Sequence, residues 1–177
     1  MTYKSHTALL DYLVSAINPN SALPVLDLAC GTGRSGLDLA RRGIEVVFAD
    51  RSERALNDIE QHLSDHSLPG RVWQVDLEQA DSKALAGKDF SSIICFRYLY
   101  RPLFPEILET VEPGGLVIYE TFTTDNRRYG RPNNPDFLLR PGELAAVFDE
   151  WQLIHYFEGV QQDPDRAVAQ LIAKKPL

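Results

Sequence analysis

The sequence predicts an α/β fold with a doubly wound, mostly parallel sheet. Three observations lead there. Short, β-branched apolar runs alternate with helix-like stretches along most of the chain. The runs are apolar on consecutive positions, which suits strands buried on both faces. The first of them enters a glycine-rich loop that opens a helix.

Each element has its own signal. Leu9, Leu10, Leu13, Val14 and Ile17 recur at helical spacing, so a helix is expected over 7–17, stopped by Asn18-Pro19 and capping the fold. The first strand is 24–29. Leu37, Leu39 and Ala40 then precede Gly43, a C-terminal helix stop. A second strand is expected at 45–49. Ser52 caps a helix with Leu56, Ile59 and Leu63 on one face. Third and fourth strands follow at 71–75 and 92–96. Pro105 suits a first helical turn, with Ile107, Leu108 and Val111 behind it and Pro113 as the stop. A fifth strand is expected at 116–119. The stretch 123–140, rich in Arg, Asn and Pro, is the longest irregular one, and loops of that length in compact domains tend to carry function. Pro141 opens a helix with Leu144, Val147 and Phe148. Strands at 151–157 and 166–173, joined by a polar linker at 159–165, read as an antiparallel hairpin closing the sheet edge.

Composition sets outer limits. At 177 residues one domain, 1–177, is expected. Hydrophobic residues at 44% and charged residues at 24% allow a real core and exclude wholesale disorder. A net charge of −7 argues against a general nucleic-acid binder, while leaving room for a local basic pocket. No apolar run approaches the roughly 20 residues of a membrane span. Residues 1–7 lack the basic-then-apolar order of a secretory signal. Cys30 and Cys95 make neither a disulfide framework nor a zinc site, and read as buried apolar thiols; no metal is expected. These limits describe a cytoplasmic enzyme or binding domain.

The loop Cys30-Gly31-Thr32-Gly33-Arg34-Ser35-Gly36 satisfies the G-x-G-x-x-G fingerprint between a strand and a helix, a nucleotide-type cofactor context. Asp50 follows Gly31 at the distance of a ribose-binding acid. Nicotinamide cofactors and S-adenosylmethionine both carry that ribose. Asp27, inside the first strand, and Asp76, before Leu77, favour the second. A carboxylate near the loop suits a cationic methionine end better than a pyrophosphate. An acid after the third strand can accept from the adenine amine, with Leu77 packing on the ring.

At these residues the chain resembles the class I S-adenosylmethionine-dependent methyltransferases. The matching segments are 25–33, Phe48-Ala49-Asp50-Arg51-Ser52, Val75-Asp76-Leu77 and Pro113-Gly114-Gly115. The resemblance implies a Rossmann-like sheet of about seven strands with an antiparallel final hairpin. It implies that Gly31 and Gly33 lie under the methionine portion, Asp50 on the ribose and Asp76 at the adenine. The cofactor candidates are Asp27, Ala29, Gly31, Thr32, Gly33, Arg34, Asp50, Arg51, Asp76, Leu77 and Phe96. Segments 96–104, Tyr119-Glu120-Thr121-Phe122 and 134–144 are similar to the tellurite-resistance and thiopurine type of small-molecule methyltransferases.

The acceptor should meet the loops after the fourth and fifth strands. Every basic residue from 97 to 140 is arginine, whose planar fork suits carboxylates and phosphates. The other reading is solvated arginines pairing with Asp125, Glu120 and Asp136. Substrate candidates are Arg97, Tyr98, Tyr100, Arg101, Tyr119, Glu120, Arg127 and Tyr129, with Arg97 foremost. No residue stands out as a general base. His62 and His66 lie away from the mouth and His155 is structural; His6 either frays with the terminus or belongs to an N-terminal lid. The expected function is methyl transfer from S-adenosylmethionine to a small molecule, anionic or thiol-like. The alternatives are a nicotinamide-dependent oxidoreductase, which lacks a Tyr-x-x-x-Lys pair at Tyr98 or Tyr119, and a cofactor-binding regulatory protein without turnover.

Overall fold

The computed structural model describes residues 1–79 and 83–177. Its helices are α1 (His6–Ala16), α2 (Arg34–Arg41), α3 (Glu53–Asp65), α4 (Phe104–Thr110) and α5 (Glu143–Val147). Its strands are β1 (Val25–Leu28), β2 (Val46–Asp50), β3 (Gly70–Gln74), β4 (Phe90–Phe96), β5 (Val111–Phe122), β6 (Gln152–Gln161) and β7 (Arg166–Lys174). They form one seven-stranded sheet in the order β3-β2-β1-β4-β5-β7-β6. The pairs from β3 through β5 are parallel, and β7 runs antiparallel to both β5 and β6.

The consecutive apolar runs have the burial their pattern predicts. Every residue of β1 is buried, as is all of β4 before Phe96. Alternate strand residues feed opposite faces. Val25, Phe48, Ile94, Ile118 and Ile172 meet Leu9, Leu10 and Leu13 of α1, Leu39 of α2 and Ile59 of α3. Leu26, Val47, Ile93, Val117 and Leu171 meet Ile107 of α4 and Leu144 of α5. The sheet is therefore covered on both faces, as a doubly wound parallel sheet requires. The α1 leucines are essentially inaccessible to water, and each contributes about 1.5–3 kcal/mol by burial. Among the described residues, no helix is long and apolar enough to cross a membrane.

Several boundaries differ from the sequence reading. Val111 is the first residue of β5 rather than part of α4, because Lys175 ends the helix from across the sheet. Its Nζ donates to the carbonyls of Leu108 at 2.6 Å, Glu109 at 3.0 Å and Val111 at 2.7 Å. Strand β6 continues through Gly159, Val160 and Gln161, paired with Val168, Ala167 and Arg166, so the linker is shorter than expected. The stretch 123–140 is not open chain. It holds 3-10 turns at Thr124–Arg128 and Pro135–Phe137, and Leu139 N donates to Phe122 O at 2.9 Å to close its base.

The frayed start is also overturned. Lys4 N donates to Gln170 Oε1 at 3.0 Å, and Gln170 Nε2 donates to Lys4 O at 2.8 Å. Tyr3 packs edge-on against Phe157, with ring centres 5.6 Å apart. Ser5 Oγ then caps α1 by accepting from Ala8 N at 3.2 Å.

Candidate functional site

The glycine loop leaves β1 at the sheet's switch point, between β1–β2 on one side and β4 on the other. Gly31 and Gly33 both hold positive φ, at 55° and 72°, and Gly33 is the N-cap of α2. A side chain on Gly31 would meet nothing within 4 Å, so space lies over it. A side chain on Gly33 would press on Ile59, and one on Gly36 would overlap the Phe48 ring and stand 2.7 Å from Asp27 Oδ2. The second and third glycines thus let α2 approach α3 and the sheet closely.

The three acids take distinct environments. Asp50 Oδ2 accepts from Gly31 N at 2.8 Å, and its Oδ1 accepts from Ser52 N at 2.9 Å. Asp27 is 3% exposed, and its Oδ2 accepts from Gly36 N at 2.9 Å. Burial pushes its carboxyl up to about 7, the Gly36 bond pulls the other way, and the nearby Asp50 charge adds to the rise. Asp76 Oδ1 accepts from Glu78 N at 3.0 Å, which orders the turn after β3.

A cleft of about 220 Å³ opens at the carboxyl ends of β1 to β4. It gathers Ala29, Asp50, Arg51, Asp76, Leu77, Arg97 and Tyr98 from the sequence-derived candidates, and adds Val75 and Glu78. Other candidates lie elsewhere. Thr32 faces a separate groove with Ser52, Asp58 and His62. Arg34 is exposed at the start of α2. Phe96 packs on His6, with ring centres 4.3 Å apart, and His6 Nε2 lies 3.2 Å from Ser35 Oγ. Burial, then Arg34, lowers the His6 pKa. Its ring is therefore docked over the end of β4, which favours the lid reading.

A second cavity of about 200 Å³ adjoins the cleft, lined by Glu78, Arg97, Tyr98, Leu99, Thr121, Phe122, Pro132 and Phe137. Arg97 sits at φ 59°, held by its backbone N–H donating to Glu120 O at 2.7 Å. Its guanidinium lies over the Phe122 ring at 5.3 Å and 3.9 Å from Glu120 Oε1. Glu120 is buried and accepts from Gln170 Nε2 at 2.6 Å. Burial raises its pKa, while Gln170 and Arg97 oppose the rise.

Six of the substrate candidates are corrected by their surroundings. Tyr119 is 1% exposed, and its hydroxyl donates to Tyr98 O at 2.8 Å, so it belongs to the core. Arg101 is occupied by structure. It grips Glu143 at 2.6 and 2.9 Å and donates to the carbonyls of Asp136 and Leu138, both at 2.9 Å. Arg127 and Tyr129 are exposed on the 123–140 segment and line neither cavity. Tyr100 lines a different groove, beside Pro102 and Pro105. Glu120 contacts Arg97 from behind rather than facing either cavity. Glu78, Phe122 and Phe137 were missed because each reads locally as an ordinary loop or strand residue.

The remaining chemistry-bearing side chains have structural settings. His155 is buried, 3.5 Å from Gln170 Oε1. Cys95 is buried and burial pushes its thiol up to about 12; Cys30 is half-buried, and both thiols are free. Among the described residues, no group of three or more His, Cys, Asp or Glu converges as a metal site would require.

Comparison with known proteins agrees with this architecture. The chain is 26% identical over 160 residues to the probable S-adenosyl-L-methionine-dependent methyltransferase TehB of Haemophilus influenzae, covering 87% of the chain and 54% of that protein. It is 28% identical over 128 residues to the ubiquinone biosynthesis O-methyltransferase of Alkalilimnicola ehrlichii, covering 68% of the chain and 50% of that protein. The chain thus spans about half the length of the curated relatives it matches. The crystal structure of TehB from Haemophilus influenzae superposes with a TM-score of 0.74 at 21% identity, over 96% of this chain and 63% of that one. The N-methyltransferase NodS from Bradyrhizobium japonicum gives 0.71 at 16% identity, over 97% and 94%. These two share the fold. A methyltransferase-domain family model matches residues 25–115, from β1 and the glycine loop through Gly115, more than half of the sequence, and the chain belongs to that family.

Proposed function

We propose that this chain transfers a methyl group from S-adenosylmethionine to a small-molecule acceptor, anionic or thiol-like. In this reading residues 1–177 work as one cytoplasmic domain, with α1 and the segment before it as the cap. The observation that carries the reading is that Asp50 and Asp76 line one cleft together with Arg97, while Asp27 is buried behind the glycine loop through its bond to Gly36. A pyrophosphate would meet acids there, whereas a sulfonium nucleoside gains from them.

The residues fit that cofactor. Each Asp50 oxygen accepts one backbone N–H and keeps acceptor capacity for a ribose hydroxyl. Asp76 faces the same cleft and suits an adenine amine, with Leu77 beside it for the ring. The open space over Gly31 admits the methionine portion. Asp27 braces the loop through Gly36 and biases it toward positive charge. S-adenosylmethionine, when bound, supplies an electrophilic methyl group. The chain's part is alignment and exclusion of water, with Arg97 presenting a cation to the acceptor. The net charge of −7 speaks against a nucleic-acid acceptor.

Calorimetric titration tests the reading. S-adenosylmethionine and its demethylated product should bind and raise the melting temperature. Tight binding of a nicotinamide dinucleotide alone would overturn it.

A further inference from the structure

We infer that the second cavity takes a single aromatic ring carrying a hydroxyl group, and that Glu78 accepts the hydroxyl proton during methyl transfer. The inference rests on the cofactor assignment above, and it replaces the anionic or thiol-like acceptor with a phenol that becomes anionic only as its proton leaves.

Glu78, Arg97 and Tyr98 line both cavities. A molecule in the second cavity therefore meets the cofactor cleft across these side chains. The rest of that cavity is mainly apolar, with Leu99, Phe122 and Phe137 in its wall. Phe137 is 46% exposed, a large apolar ring left open at the rim that a bound ring would cover. A dry cavity of about 150 Å³ is enough for benzene. The volume here, about 200 Å³, is enough for one substituted ring.

The polar end decides the substituent. The Tyr98 hydroxyl is shut off from water with no hydrogen-bond partner at bonding distance. Burial first, then the Glu78 carboxylate, pushes its phenol well up, so it stays protonated as a donor. The Arg97 guanidinium is permanently charged and takes no proton. Glu78 supplies the only proton acceptor among the three. A phenol, with a pKa of about 10, needs such a group at neutral pH. The acceptor oxygen uses a lone pair to form the O–CH3 bond. The S–CH3 bond breaks with its electron pair going to sulfur, which becomes a neutral thioether. The O–H proton passes to the Glu78 carboxylate, and Arg97 offsets negative charge developing on oxygen.

The test compares p-cresol with 4-methylbenzenethiol, whose thiolate needs no base. Glu78→Gln should cut kcat for p-cresol about 100-fold and the thiol rate by less than about threefold. Its calorimetric affinity for p-cresol, measured with the demethylated cofactor bound, should stay within about threefold. Phe137→Ala should weaken that affinity about tenfold. Equal losses for both acceptors would make Glu78 structural and overturn the inference. So would failure of p-cresol to bind while the demethylated cofactor binds. Failure of the cofactor itself to bind would instead overturn the underlying methyltransferase reading, and this inference with it.

Discussion

Asp50 and Gly31 are joined by a 2.8 Å hydrogen bond from the glycine N–H to the carboxylate. The acid proposed to meet the ribose is therefore also the latch of the glycine loop. Its second oxygen holds Ser52 N, which fixes the start of α3. Asp50→Ala should lower the stability of the ligand-free protein by about 1–3 kcal/mol. It should also weaken S-adenosylmethionine binding about 10- to 100-fold. Denaturant melts and calorimetry separate the two effects. Lost stability with unchanged affinity of the folded fraction would leave Asp50 as a latch alone.

Asp27 makes stability depend on pH. Burial holds its folded pKa at about 7, above its ordinary value of 3.8. Between those values the folded state keeps a proton that the unfolded chain has lost. Stability is thus full below the ordinary value and falls as pH rises toward about 7. Asp27→Asn should remove this slope and leave the variant more stable than the parent above that range, as melts across pH would show. A sulfonium near Asp27 should also expel the proton. Calorimetry at about pH 6.5 in two buffers of different ionisation enthalpy should show proton release with S-adenosylmethionine and less with its neutral product.

Arg97 and Arg101, four positions apart, should separate cleanly. Arg97→Lys keeps the charge but loses the fork, and should lower kcat/KM for the acceptor about tenfold; Arg97→Ala should lower it about 100-fold. Both should spare cofactor affinity. Arg101→Ala removes the bonds to Glu143 and to the Asp136 and Leu138 carbonyls, and should cost about 2 kcal/mol of stability. Unchanged acceptor kinetics in both Arg97 variants would assign that residue to the solvated surface.

The glycines divide in the same way. Gly36→Ala forces a methyl into Phe48 and toward Asp27, and should destabilise the ligand-free protein by about 1–3 kcal/mol. Gly31→Ala meets open space, so its cost is that of the left-handed backbone, about 1–2 kcal/mol. Its larger effect should fall on cofactor binding. Thermal melts with and without S-adenosylmethionine distinguish the two.

Much of this was legible locally. A run such as Val46-Val47-Phe48-Ala49 can satisfy its side chains only inside a two-faced sheet, and its neighbours in sequence say so. Asp27, Asp50 and Asp76 were legible because each ends or interrupts such a run. The acceptor side was not, because its geometry is made by distant partners. Arg101 looked available until Glu143 appeared beside it, and Tyr119 looked like a mouth residue until its hydroxyl reached Tyr98. The docked start depends on Gln170, which lies 166 positions away. The α4 boundary depends on Lys175, which lies 67 positions from Leu108. Glu78 gave no signal at all, since an acid in a turn is ordinary until two cavities meet at it.

Strand β7 is the last in the chain, yet it lies inside the sheet, between β5 and β6. Synthesis runs from the amino end at about 5–20 residues per second. A growing chain can assemble β1 to β5 and the glycine loop while β7 is still in the ribosome. Until it emerges, the outer edge of β5 stays open and Glu120 lacks its Gln170 partner. The half that holds Asp27, Asp50 and Asp76 can thus take shape early, whereas the wall behind Arg97 and the clasp on Lys4 form only after β7 emerges. A nascent chain stalled before residue 166 would carry an unpaired β5 edge, a template for pairing with other chains.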